Sequence, residues 1–246
     1  MEYAPQPAFA PRKPPVERLL ALFEVLLLSG LVSSSVAVLP FSFFGGKAVS
    51  ALTADVKTVC AFLLLESAVT LMLLAAVLRF HGETIRDLGL RRHRWKRNFV
   101  TGLLLVPFLF LVNAGVALGF RKFLPEYYVE KNPLTEIIQS PEQLAFFIVS
   151  ALIAGGIKEE LQRAFILVRF GRYLGGAALG LLVWSLAFGA GHYVQGVQGI
   201  TVAAIYGFVF GAMYLLSGSL IAPIVAHGAY DAAALLLYWF TAGRFK

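Results

Sequence analysis

The chain has 246 residues, of which 59% are apolar and 14% charged, with a mean hydropathy of +0.76. An ordinary water-soluble domain is about half apolar and about a quarter charged, so these values exclude one and point to lipid as the solvent. The formal charge of +7 and the pI near 9.6 do not indicate nucleic acid, because the basic residues fall between apolar runs rather than along one polar face and read as determinants of membrane orientation.

Residues 1–17 carry Pro5, Pro7, Pro11, Pro14 and Pro15 beside Arg12 and Lys13. That composition predicts a disordered cytoplasmic tail ahead of one transmembrane domain over 18–246. A run of about 20 apolar residues crosses about 30 Å of hydrocarbon. The first, about Leu19 to Val38, is longer than the roughly 7 to 15 residues of a signal-peptide core and lacks a clear small-residue cleavage site, so it predicts a spanning helix. A second runs from about Val56 to Phe80 and holds the single cysteine, Cys60, which reads as a small core residue. One cysteine supports neither an intrachain disulfide nor a cysteine-rich metal site. Arg79, Arg86, Arg91, Arg92, Arg94, Lys96 and Arg97 follow as the strongest positive block, which the positive-inside rule assigns to the cytoplasm. Two crossings separate that block from Arg12, Lys13 and Arg18, so both basic segments fall on one side.

A third run spans about Phe99 to Phe120. The longest polar connection, Arg121 to Glu142, follows it and is expected to face outward, with Pro125, Asn132, Pro133 and Pro141 breaking any helix. A fourth helix is predicted near Leu144 to Phe170, with Arg169 and Arg172 at its cytoplasmic end. A fifth follows from about Leu174 to Tyr193, a sixth from Ile200 to Leu216 and a seventh from Leu220 to Phe240. Ser217, Gly218 and Ser219 leave so short a turn that the last two helices form either hairpin arms or a partly re-entrant pair. Gly176 with Gly180, and Gly207 with Gly211, are spaced to let helix backbones approach closely. The expected fold is all-α, a polytopic bundle of about seven spanning helices, with a core at 144–240 and a polar site in the C-terminal four.

An ionisable group at the centre of a membrane helix costs about 2.5–3.5 kcal/mol on insertion scales, which makes each one a functional candidate. They cluster in the second half: Lys158, Glu159, Glu160, Gln162 and Arg163 on the fourth helix, His192 after Phe188 on the fifth, His227 and Asp231 on the seventh. Residues four apart share a helix face, so Glu159 with Arg163, Phe188 with His192, and His227 with Asp231 are predicted to pair and to converge inside the bundle. Such a convergence supports hydrolysis of an amide by activated water. A desolvated glutamate suits a general base. Alternatively, His192, His227 and a carboxylate hold a divalent metal such as zinc, and the glutamate works on metal-bound water. No Ser-His-Asp arrangement is evident, and Cys60 is remote, which disfavours nucleophilic catalysis. The blander readings are a structural Glu159–Arg163 ion pair and an interfacial His192 at a helix end. Glu24 and Glu66 lie in apolar runs without a titratable partner at helical spacing, and read as packing, snorkelling or topology features. The basic stretch from Arg79 to Arg97 also suits anionic lipid headgroups.

Three motifs appear in order on three apolar helices: Glu159-Glu160 with Arg163 downstream, Phe188-Gly189-Ala190-Gly191-His192, and His227-Gly228-Ala229-Tyr230-Asp231. Together they resemble the CPBP intramembrane proteases, the CAAX-prenyl-endopeptidase, bacteriocin-processing and self-immunity group. That family carries a double glutamate with a downstream arginine, then Phe-x-x-x-His, then His-x-x-x-Asn/Asp, each on its own transmembrane helix. The resemblance covers about Ile148 to Ala234, with a weaker echo at Leu88-Gly89-Leu90. One departure stands out: the family has three residues between the second glutamate and the arginine, and this chain has two. Aligning the glutamates makes Glu159 the water-activating residue. Aligning the arginine puts Lys158 at the first glutamate position and implies a catalytically impaired relative. The first alignment is preferred, because a lysine is no acidic base at neutral pH.

The resemblance implies an intramembrane endopeptidase; the lack of an organellar targeting signal and the minimal loops suggest a bacterial inner membrane, and the basic segments put the N-terminus in the cytoplasm. Glu159 would activate water, His192 and His227 would position it or stabilise the oxyanion, and Asp231 would orient that site. Glu160 and Arg163 would form the supporting ion pair or contact substrate, with Phe188 beside them. The family is often described as metal-dependent, yet a glutamate with two histidines can activate water unaided, so zinc and metal-free versions both stand. Expected substrates are prenylated C-terminal peptides, bacteriocin leader peptides or membrane-embedded proteins. The competing classes are a non-catalytic membrane scaffold that keeps the protease fold, and a small transporter. The transporter would show an inverted repeat or matching broken helices, whereas the polar residues here sit in one half.

Overall fold

A computed structural model describes residues 14–45, 55–91 and 94–241. Most of the expected N-terminal tail lies outside the described residues, but its end does not: α1 (Pro15–Leu27) begins at Pro15, since a proline in the first turn gives up an N–H that the helix leaves unpaired anyway. The expected first helix is two. α1 and α2 (Leu31–Gly45) are separated at Gly30, whose φ of 97° is left-handed, and together they form one span-length rod over Pro15–Ser42. α3 (Val56–Phe80) starts at Asp55, whose carboxylate accepts the Thr58 N–H at 3.0 Å. α4 (Trp95–Phe123) follows the basic loop.

The polar connection after α4 is less irregular than its prolines predict. Pro125–Tyr127 forms a 3-10 turn and α5 (Pro133–Glu136) a single helical turn capped by Asn132. Both prolines stand at the first position, where they start helices rather than break them. The fourth expected helix is one rod built of α6 (Pro141–Ala151), a π-helical segment (Leu152–Glu159) and α7 (Glu160–Tyr173). Then come α8 (Ala177–Gly191), a 3-10 turn (Tyr193–Gln195), α9 (Gly196–Ser217) and α10 (Ile221–Thr241). The fold is an all-α bundle, and no strand occurs among the described residues.

Among the described residues five helical stretches are long and apolar enough to cross a membrane: Pro15–Ser42, Val56–Phe80, Trp95–Phe123, Tyr193–Ser217 and Ile221–Thr241. α8 is apolar but shorter. The α6–π–α7 rod is long enough, yet Lys158, Glu159, Glu160 and Arg163 interrupt its apolar character. These charges turn inward: Lys158, Glu160 and Arg163 are buried, while Leu104, Leu111 and Leu118 of α4 are exposed, as lipid-facing side chains are. α9 and α10 are both of spanning length and form hairpin arms. Their turn is tied to the basic loop, where the Leu220 N–H donates to the Gly89 carbonyl at 3.2 Å.

Three apolar clusters hold the bundle. One gathers Leu74, Leu78, Phe165, Trp184, Phe188 and Tyr214; a second joins Cys60, Phe147 and Trp239; a third joins Leu109, Tyr206, Phe210 and Tyr230. The polar site lies between the first and third, with Phe188 on one side and Phe210 on the other. Of the glycine pairs, Gly180 is a close-approach site, since a Cβ there would come within 2.5 Å of the Phe170 Cβ, and Gly207 sits against the Ser185 backbone. Gly176 is not one. An added Cβ would meet nothing within 4 Å; its φ of 106° at the start of α8 is what requires glycine.

The isolated carboxylates of the apolar runs are not isolated. Glu24 on α1 is buried against the His81 ring and accepts from Arg169 Nε at 2.6 Å. Arg169 also donates Nη1 and Nη2 to Glu83 at 3.2 and 2.7 Å, and Arg172 Nη1 reaches Glu83 at 2.6 Å. Glu66 on α3 meets Lys158 Nζ at 2.7 Å. The partners come from other helices, where a search along one helix face does not reach.

Candidate active site

The site is built on the rod's change of helical type. Gly155 and Gly156 weaken the α-helix, and the chain through Leu152–Glu159 takes the wider π form, which accommodates an extra residue and recurs at functional sites. The two glycines also allow close packing on α10. A Cβ on Gly155 would lie 2.6 Å from Asp231 Oδ2 and 3.1 Å from His227 Nε2, and one on Gly156 would lie 3.3 Å from the Gly228 Cα.

At the end of this segment two consecutive glutamates bracket one imidazole. His227 donates Nδ1–H to Glu160 Oε1 at 2.7 Å. A neutral ring then presents Nε2 as an acceptor, and this atom faces Glu159 Oε2 at 3.8 Å and Asp231 Oδ2 at 3.6 Å. Both separations are too long for a direct hydrogen bond and too short for an oxygen between the partners, so a water or substrate oxygen would meet these atoms from the open side of the site. The ring is held flat by Phe210, stacked at 4.7 Å between centroids with an interplanar angle of 20°.

Behind His227 the structure is closed. Glu160 pairs with Arg163 one turn on, and both side chains are 1% exposed. The i,i+4 pair expected between Glu159 and Arg163 is therefore made by Glu160, at i,i+3. The Arg163 guanidinium lies over the rings of Phe188 at 4.7 Å and Phe210 at 5.5 Å. Those faces take the place of acceptors for Nε and Nη2, which have no hydrogen-bond partner among the described residues. The open side carries Glu159 and Asp231, whose side chains are 18% and 26% exposed.

His192 follows the last turn of α8 and is half-buried. Its Nδ1–H donates to the Phe188 carbonyl at 2.8 Å and its ring lies 4.6 Å from the Phe188 ring, which leaves Nε2 free. Glu159 feels the charges of Lys158, His227, His192 and Arg163. Among the described residues no group of three or more His, Cys, Asp or Glu side chains is arranged to hold a metal ion.

Three residues carry no usable signal in the sequence. Phe210 is one aromatic in an apolar run. Gly155 is one glycine among many. Glu66 stands out as a charge, but its partner Lys158 lies on another helix.

Residues 140–233, which hold every one of these motif residues, match the family model described as type II CAAX prenyl endopeptidase, Rce1-like. No curated protein and no solved structure matches the chain.

Proposed function

We propose, from the match of residues 140–233 to the Rce1-like type II CAAX prenyl endopeptidase family model, that the chain is an intramembrane endopeptidase acting on a membrane-associated or prenylated peptide through glutamate-activated water. The observation that carries the reading is the triangle of Glu159 Oε2, His227 Nε2 and Asp231 Oδ2, with edges of 3.8 and 3.6 Å from the imidazole and its carboxylates on the open side.

Glu159 takes a proton from a water held over the open face of that triangle as the water oxygen attacks the scissile carbonyl carbon. The carbonyl oxygen becomes an oxyanion, which the imidazole of His192 at the mouth of the site is placed to stabilise, while His227 Nε2 accepts from the water. Glu159 then returns its proton to the departing amide nitrogen as the C–N bond breaks, leaving a carboxylate and an amine. Glu160 orients His227, Arg163 holds Glu160, and Asp231 sits beside Nε2 to fix the water. The side-chain directions favour Glu159 over Lys158 as the first glutamate of the motif, because the ammonium of Lys158 turns to Glu66 on α3.

The test is terminal-peptide proteomics on membranes of cells expressing wild type, Glu159→Ala or Glu160→Ala. New peptide ends near membrane segments in wild type that vanish with Glu159→Ala are the expected result. Identical profiles from all three, with normal folding, would instead favour a non-catalytic scaffold.

A further inference from the structure

Lys158 is a buried lysine in a membrane bundle, its side chain 7% exposed. Such a group persists only when its charge is compensated. One carboxylate would suffice, yet two are present: Glu66 Oε2 at 2.7 Å and Glu159 Oε1 at 3.5 Å. Glu66 is itself immobilised, since its Oε1 accepts from Ser33 Oγ at 2.8 Å and Thr70 Oγ1 at 3.1 Å. A chain of contacts thus runs from α2 and α3 through Glu66 and Lys158 to Glu159.

The two oxygens of Glu159 are divided by this arrangement. Oε1 faces Lys158 and Oε2 faces His227. A carboxylate with one oxygen drawn to a fixed cation presents the other in a set direction, which is what proton abstraction from a placed water demands. The charge balance agrees. Glu66, Glu159, Glu160 and Asp231 share only two permanent cations among themselves, Lys158 and Arg163, and Arg163 is taken by Glu160. Among the described residues Lys158 is the cation in direct contact with Glu159, and it offsets the repulsion of Glu159 by Glu160 and Asp231.

We propose that Lys158, anchored by Glu66, is a positioning residue that aims the Glu159 carboxylate at the water beside His227. This rests on the endopeptidase reading. The experiment uses the full-length protein in proteoliposomes and a quenched peptide spanning a cleavage end that wild type releases from membranes. The informative variant is Glu66→Gln with Lys158→Met. It removes both buried charges together, so the net charge of the site is unchanged and Glu66 is not left as an unpaired buried ion, and the glutamine still accepts from Ser33 and Thr70.

We expect thermal stability like wild type, KM within about twofold, and kcat lowered about 10- to 100-fold, the scale of a misplaced catalytic group. Lys158→Arg alone restores most of kcat. Unchanged kcat in the folded paired variant overturns the inference, as does a paired variant that no longer melts like wild type, since Lys158 would then serve the fold. Absence of released ends from wild type overturns the endopeptidase reading itself and this inference with it, and the wild-type control tells the two failures apart.

Discussion

At Gly155 a single methyl group separates the site from its loss. The Cβ of an alanine there would sit 2.6 Å from Asp231 Oδ2 and 3.1 Å from His227 Nε2, closer than any non-bonded carbon–oxygen contact, so Asp231 must swing away. Gly155→Ala is expected to lower turnover about 100-fold per folded molecule, the effect of shifting a positioned group by about 1 Å. Gly156→Ala presses on the Gly228 backbone at 3.3 Å instead, and should lower the melting temperature more than the rate. Comparing rate and melting temperature for both variants checks this, and a Gly155→Ala protein with wild-type turnover would remove Asp231 from the reaction. His192, His227 and Asp231 are legible in the sequence because a polar group in an apolar helix advertises itself. Gly155 and Phe210 are not, because their importance lies in what packs against them.

Among helices, the ends of α3 and α10 fall within a residue of where hydropathy puts them, but of about seven expected spans five are long and apolar enough among the described residues, α8 being too short and the rod of α6 and α7 broken by charges. The π segment was beyond such a reading, since an extra residue per turn leaves composition unchanged and alters only which side chains share a face. The join of α1, α3 and α7 was equally hidden, because Glu24, His81, Glu83 and Arg169 come from three parts of the chain. Arg169 is 2% exposed and satisfied on every side by Glu24, Glu83 and the face of Phe165 at 4.4 Å. Arg169→Met leaves Glu24 buried beside only a histidine, and should cost about 3–5 kcal/mol of resistance to denaturation. Pairing it with Glu24→Gln should recover much of that loss; a harmless single variant would show that the join is ornamental. Glu83, in the loop beyond α3, adds a pH dependence. Burial pushes its carboxyl up, but the hydrogen bonds and charges of Arg169 and Arg172 outweigh burial and hold it below the ordinary value of 4.5. A carboxyl depressed in the folded state stabilises fully above that value and loses its contribution as pH falls through the folded pKa. Thermal melts should therefore be flat above about pH 5 and decline on acidification below it, with a shallower decline in Glu83→Gln; parallel declines would count against this role.

The molecule as a whole is polarised by charge, and that polarity says from which side the site is approached. Arg79, Arg86, Arg91, Arg94, Lys96, Arg97, Arg169 and Arg172 gather at one end of the bundle, where the loop after α3 meets the end of α7 and the α9–α10 turn. At the other end the connection after α4 balances Arg121, Lys122 and Lys131 with Glu126, Glu130, Glu136 and Glu142. It packs over the segment that follows His192: the Val129 N–H donates to Gln198 Oε1 at 2.9 Å, and Asn132 Nδ2 to Gln195 Oε1 at 3.3 Å. By the positive-inside rule the first end is expected in the cytoplasm, which would put His192 in the half of the bundle nearer the opposite face. With the buried Cys60 changed to serine, single cysteines can be placed at two exposed positions, Ile85 in the basic loop and Tyr127 in the connection after α4. A membrane-impermeant maleimide added to intact cells should label Tyr127→Cys, and should label Ile85→Cys only after permeabilisation. The reverse pattern would turn the bundle over, place the His192 end toward the cytoplasm, and make a prenylated cytoplasmic peptide the more accessible substrate; the expected pattern instead requires such a peptide to reach Glu159 from within the membrane, past the basic end.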